Sequence, residues 1–354
     1  MSEAVQDHRL VGLEPDNLLG VLALLGLLRA LECARADWRP RVSWDVERSP
    51  VRPTLHLRVP QTRSAVARAG AEGVTELSKD HEFDRPKLGF SPEEAADRLG
   101  RVAIEADRRS REKARLWSAL ISDAAIRDKK EFVERTPFCL LDVAQTAFLK
   151  NLGEIALPSS TPRVERKQLG IGDTLEAALF YPWTRGHNTT SFRWDPMEDS
   201  RHALRWAAPT DEKQGVEHGA NVLAALGLRS LTVVPRQKGS DVRLAVVGGR
   251  FENGFSFAWP IWRERMSLSA IEALLGHPDL RTQSALSHLG VCEVRVARKF
   301  NPNGGKYSNF GTGRDSSMEE ANATAPSVRR ARDKGRRDLR RYPPRRNALT
   351  VPFS

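Results

Sequence analysis

Ser191-Phe192-Arg193-Trp194-Asp195-Pro196-Met197-Glu198-Asp199-Ser200-Arg201-His202-Ala203-Leu204-Arg205-Trp206 is the stretch around which the chain is organised. It packs two tryptophans, three arginines and three acids into a short span. Downstream, Ala220-Asn221-Val222-Leu223-Ala224-Ala225-Leu226-Gly227-Leu228 is a compact apolar helix that Gly227 can stop, and Leu231-Thr232-Val233-Val234 is a short strand. Ordinary core segments do not carry this density of tryptophan and charge, so the remaining sequence is laid out on either side of it.

Upstream, Leu13-Glu14-Pro15-Asp16-Asn17 offers capping residues for a helix from Leu18 to Leu31 that is apolar on nearly every face. Such a helix is buried all round, and Gly20 and Gly26 let a second backbone come close. Val42–Val46 and Leu55–Val59 alternate with period two and predict strands, with Pro50 and Pro53 in the turn between them. Residues 70–90 read as a polar, glycine-bearing loop. Ser91-Pro92-Glu93-Glu94 is a helix start with a capping residue, a proline and a returning acid, and the helix is expected to run as far as Lys130. A second amphipathic helix is expected over Phe138–Leu152, then a Pro/Ser/basic linker at 158–172 and a short helix over Asp173–Phe180. Val242–Val247 and Phe255–Trp259 read as a hairpin joined through Asn253-Gly254. Leu268–Leu275 is a helix closed by Gly276, and Val291–Val296 is one more strand.

These elements predict an α+β protein: an N-terminal buried helix with short strands, a helical module, a C-terminal mixed antiparallel sheet with helices, and a basic tail. The expected division is an N-terminal domain at 1–157 that includes the helical module at 91–152, a C-terminal α+β domain at 158–314, and an arginine-rich tail at 315–354. Asn17–Leu28 and Asn221–Leu228 share an asparagine followed by Leu-Gly-Leu, a likeness that helix grammar alone can produce.

The 354 residues carry a net charge of +11, which favours an acidic polymer as partner, nucleic acid first. Cys33, Cys139 and Cys292 are too scattered for a disulfide framework, as in a reducing cytoplasm. The apolar run from Gly12 to Leu31 is interrupted and lacks a basic start, so neither a membrane span nor a signal peptide is expected.

Two constellations bear on chemistry. If helical, Asp195, Glu198 and His202 would share one face, and these carboxylates and imidazole, with Asp199, suit a metal-dependent nuclease. Against this, Pro196 breaks the helix start, and Arg193, Arg201 and Arg205 offer the acids ion-pair partners. The preferred expectation is that the acids are structural, with no catalytic residue, metal or cofactor. The second constellation is basic. Arg295, Arg298, Lys299, Asn301, Asn303, Lys306, Tyr307, Asn309 and Arg314 combine phosphate-gripping cations, a stacking face and amides in a glycine-rich stretch. The glycines let backbone approach a groove, and the asparagines match base edges. Either this is a nucleic-acid interface or a solvated loop after a strand. The tail, with ten Arg and Lys from Arg329 to Arg346, has charge but few groups that discriminate bases.

Gly12-Leu13-Glu14-Pro15-Asp16-Asn17 with its Leu/Gly helix resembles the N-terminus of subunits of type I-G (I-U) CRISPR effector complexes. The spans Arg193–Trp206, Ala220–Leu228 and Phe255-Ser256-Phe257-Ala258-Trp259-Pro260-Ile261-Trp262 look like the middle of the same proteins. The resemblance implies a non-enzymatic large-subunit role in a cytoplasmic Cascade-type surveillance complex for antiviral defence. It implies guide RNA, target DNA, the other effector subunits and the nuclease-helicase as partners, and no membrane. In that family base pairing reads the sequence, while protein reads a flanking motif and helps open the duplex. The chain departs from the family in being short, with an arginine tail where a C-terminal helical bundle is expected. A free-standing basic nucleic-acid-binding protein is the remaining alternative.

Overall fold

Asn17 ends an extended segment and caps the first helix, its side-chain oxygen accepting from the Leu19 N–H at 3.0 Å. The helix, α1 (Leu18–Ala34), is buried on every face from Leu18 to Leu31. The structure, a computed structural model, describes residues 3–108, 111–126, 131–140, 147–198, 215–239, 241–251, 254–301 and 308–317. It is a mixed α+β fold.

Strand β1 (Val5–Arg9) precedes α1, and β2 (Arg41–Asp45) and β3 (Arg52–Gln61) come after it, forming an antiparallel sheet in the order β1-β3-β2. Pro53 lies within β3 opposite Trp44, not in the turn, and its carbonyl accepts from the Leu10 N–H. The expected loop at 70–90 is helical over its first part. Thr62 caps α2 (Arg63–Ser78), and Gly70 and Gly73 face neighbouring elements, with Gly73 against the backbone of Ala30. The glycines that suggested a loop are packing residues.

Helix α3 (Pro92–Arg108) starts with the expected capping box. The Ser91 hydroxyl accepts from the Glu94 N–H, and the Glu94 carboxylate accepts from the Ser91 N–H. The helix does not run on to Lys130. Helix α4 (Arg111–Leu120) stops where the Leu120 carbonyl accepts from the Thr136 N–H, which folds residues 131–136 back along it. Residues 138–140 are not helical, and the Trp194 indole N–H donates to the Phe138 carbonyl at 3.0 Å. Of the expected helix over Phe138–Leu152, the described residues form α5 (Phe148–Glu154), and 141–146 lie outside them. The linker at 158–172 holds a small hairpin, β4 (Arg163–Val164) with β5 (Lys167–Gln168), and the start of α6 (Ile171–Phe180).

Helix α7 (His218–Gly227) is buried throughout and crosses α1. A Cβ built at Gly26 would fall on the Leu223 carbonyl, and one built at Gly227 would fall on the Leu22 carbonyl. The two glycines thus open a reciprocal close approach. Each of these helices leads into a 3-10 turn and an antiparallel hairpin, β2–β3 after α1 and β6 (Val233–Lys238) with β7 (Asp241–Val246) after α7. The likeness of the two Asn/Leu/Gly segments therefore extends to the elements downstream of each and to the way the two helices meet.

The expected hairpin between Val242–Val247 and Phe255–Trp259 is replaced by two hairpins. Strand β7 pairs with β6. Gly248, at φ +72°, turns the chain into β8 (Gly249–Phe251), which pairs with β9 (Phe255–Trp262). Gly254 turns that second hairpin at φ +97°. After α8 (Leu268–Leu275), capped by Ser267, comes β10 (Val291–Phe300). It pairs with β9, with β11 (Asn309–Phe310) and with β12 (Arg314–Asp315).

The core does not separate at residues 157/158. One hydrophobic cluster takes in α1, α2, α4, α6, α7 and β9, joining residues expected in two domains. The Val42 and Met266 backbones exchange two hydrogen bonds, at 2.8 and 2.9 Å, tying edge strand β2 to the segment after β9, and the Trp262 indole donates to the Val42 carbonyl. Arg29, the one cation in α1, is nearly buried and bridges Glu112 of α4, Ser230 and Glu272 of α8. No helix among the described residues is long and apolar enough to cross a membrane.

Candidate nucleic-acid interface

The organising stretch is held from both central helices. Asn17 at the start of α1 donates to Asp195 at 3.1 Å, and Asn221 of α7 accepts from the Phe192 N–H at 3.3 Å. Phe192 and Trp194 stack at 4.5 Å between ring centroids, and both are fully buried. Asp195 is buried, and its carboxylate accepts from Arg185 Nε at 2.7 Å and from the Met197 N–H at 3.0 Å. A cation beside it is Arg185, ten residues upstream, and of the three arginines expected Arg193 acts electrostatically on Glu198. Of those, Arg201 and Arg205 lie outside the described residues.

Glu198 accepts from the Ser191 hydroxyl. Asp199 and His202 lie outside the described residues, and among the described ones no three His, Cys, Asp or Glu side chains converge to hold a metal. The lone pairs of Asp195 are directed at a guanidinium, an amide and a backbone N–H, an arrangement that positions a loop.

Burial pushes the carboxyls of Glu198 and Glu217 up to about 7. Burial pushes His218 down to about 4 and His81 down to about 3. The signs are opposite. A carboxyl raised in the folded chain contributes stability fully below its unfolded value of 4.5, and loses it as pH rises through about 7. A depressed histidine contributes above its unfolded value of 6.5, and loses that stability as pH falls toward its folded value. Urea midpoints measured between about pH 5 and 8 should therefore fall on the alkaline side, by up to about 3 kcal/mol for Glu217. Glu217→Gln should flatten that decline while leaving the acid-side loss in place. An unchanged alkaline slope would contradict the assignment.

The basic stretch is only partly a surface. Arg298, Asn301 and Arg314 are exposed. Arg295 pairs with Glu293 at 2.8 Å, and Lys299 donates to the Pro137 carbonyl at 2.8 Å, with burial pushing its ammonium down. Asn309 is buried in β11, so it does not present its amide to a duplex. Gly311 bonds back to the Arg298 carbonyl. Gly313 donates to the Asp16 carbonyl at 2.7 Å and packs on Trp259. These two glycines serve interior packing, not the approach of a groove. Asn303, Lys306 and Tyr307 lie outside the described residues.

The structure brings the end of β10 beside residues that the sequence did not single out. A cleft of about 880 Å³ opens between residues 132–139, β7, the β8–β9 turn and the end of β10. Among the described residues, Arg135, Arg243 and Lys299 line it with one carboxylate, Glu134, which pairs with Arg243 at 2.9 Å. Phe132, Phe251 and Phe300 supply aromatic faces, and Phe132 is 53% exposed. Beneath them, Phe138 packs edge-on to Phe255 and Phe257 and stacks on Phe310 at 5.7 Å, so the floor is fixed by the core. Thr136 lines the cleft, is 1% exposed, and its hydroxyl finds no partner among the described residues. Lys299 and Asn301, both in the expected basic stretch, line this cleft, and the outward place of Arg243 in the Val242-Arg243-Leu244 alternation was a further signal for it. Phe132 to Thr136 carried none, because they read as the approach to a helix.

Comparison with known proteins leaves the site to be read from its own geometry: no family model matches the chain, and neither a curated protein nor a solved structure does.

Proposed function

We propose that the chain is a non-catalytic, nucleic-acid-binding subunit of an RNA-guided CRISPR surveillance complex of type I-G. In this reading it meets target DNA and guide RNA, sits beside the other effector subunits, and helps recruit the nuclease-helicase in antiviral defence. The observation that carries nucleic-acid binding is the cleft at the end of β10. Among the described residues it sets three cations against one carboxylate and adds aromatic faces, in a chain of net charge +11. The sequence resemblance supports the assignment to an RNA-guided complex. The use of Asp195 as an ion-pair and loop-positioning residue supports a binding role over a metal-dependent nuclease.

The test is the salt dependence of binding. Each phosphate neutralised on duplex DNA contributes a slope of about 0.9 in log affinity against log salt. The intact chain should bind duplex with a steep slope, and a chain lacking residues 326–346, which lie outside the described residues, should bind with a shallower one. Equal slopes would remove the tail from the interface, and no binding at low salt would overturn the reading.

A further inference from the structure

Resting on that reading, we infer that the cleft between residues 132–139 and the end of β10 takes an unpaired nucleotide of a single strand, with its base stacked on an aromatic wall. Size points there first. The cleft is half open, and its volume of about 880 Å³ lies within the usual range of small-molecule pockets and gives room for one or two nucleotides.

The walls also divide the labour that a nucleotide needs. Phe132 is half-exposed at the rim, where a π-face can meet any base. Arg135 is exposed beside Phe132, and Arg243 stands across the cleft. These place positive charge where a backbone phosphate would trail the base.

The Thr136 hydroxyl adds an independent observation. A buried hydroxyl without a partner costs free energy, and native chains seldom leave one. Thr136 sits in the wall of the cleft, where a base edge with donors and acceptors would satisfy it. The ammonium of Lys299 lies on the same wall, with its burial offset by the Pro137 carbonyl. An acidic peptide would bring charge to the cleft but no ring to stack on the half-exposed face of Phe132.

The experiment uses the full chain and single-stranded DNA of about ten nucleotides carrying one fluorescent purine analogue. Binding should change the analogue's emission as the base leaves its neighbours' stack. Phe132→Ala should weaken single-strand binding by about five- to a hundredfold while its unfolding midpoint stays near wild type, because the ring is half-exposed. Thr136→Val is the sharper variant. If Thr136 were only structural, removing its unpaired hydroxyl would leave binding unchanged and stability equal or improved. The inference expects weaker single-strand binding with stability retained.

Duplex binding together with unaltered single-strand affinity in both variants would overturn the cleft and leave the proposed function standing. Displacement of the strand by polyglutamate at equal charge, with no change in emission, would also overturn base recognition. Failure of the wild-type chain to bind either nucleic acid would instead remove the proposed function.

Discussion

Gly26→Ala is expected to abolish cooperative folding or to lower stability by about 3 kcal/mol or more, although the same change in an open helix is favourable. Alanine is the best helix former and is worth about 1 kcal/mol over glycine in a helix interior. At Gly26 the added methyl would land on the Leu223 carbonyl, and Gly227 would meet the Leu22 carbonyl in the same way. Overpacking of a core costs about 1–3 kcal/mol where side chains can yield, and more where they cannot. Here the obstructing atoms are backbone on both sides, so relief requires α1 and α7 to part and the core around them to open. Gly100 in α3 provides the control. A Cβ there meets nothing within 4 Å, so Gly100→Ala should raise stability by about 1 kcal/mol. Denaturant unfolding of both variants checks the pair. A gain in stability at Gly26 would contradict the crossing.

The second large effect is expected at Asp195. Its carboxylate joins Arg185, the cap of α1 and the turn at Met197, all in a buried setting. Asp195→Ala leaves the Arg185 guanidinium and the Asn17 amide without their acceptor, which for a buried pair costs about 3–5 kcal/mol. Asp195→Asn keeps the shape and loses the charge, and should fall between alanine and wild type. Thermal unfolding orders the three. Wild-type stability of Asp195→Ala, with loss of a metal-dependent nuclease activity, would reverse the assignment and restore the acids to catalysis.

Much of the fold was legible because local signals agreed with burial. The Asn17 cap and the Ser91 capping box mark helix starts that form where they are expected, and Gly276 closes α8 as expected. What failed was punctuation. Gly70 and Gly73 read as loop residues, yet Gly73 is needed so that α2 can lie against Ala30. The alternation of Val242–Val247 was a true strand signal, but period two does not say which neighbour a strand pairs with, and Gly248 sends the chain into a different partner. The cleft was least legible. Arg135, Arg243 and Lys299 come from separate parts of the chain, and only the core beneath Phe138 brings them to one opening. In the basic stretch, composition alone does not separate a surface Arg298 from a buried Asn309.

Membership of an RNA-guided complex is the central claim, and the most direct measurement is to isolate the tagged chain from its own host under gentle conditions and sequence the RNA that comes with it. The expected result is RNA of one narrow length class, with a constant repeat-derived segment joined to varying spacers, together with other effector subunits. Recovery of the chain alone, or with RNA of unrelated sequence and length, would contradict membership.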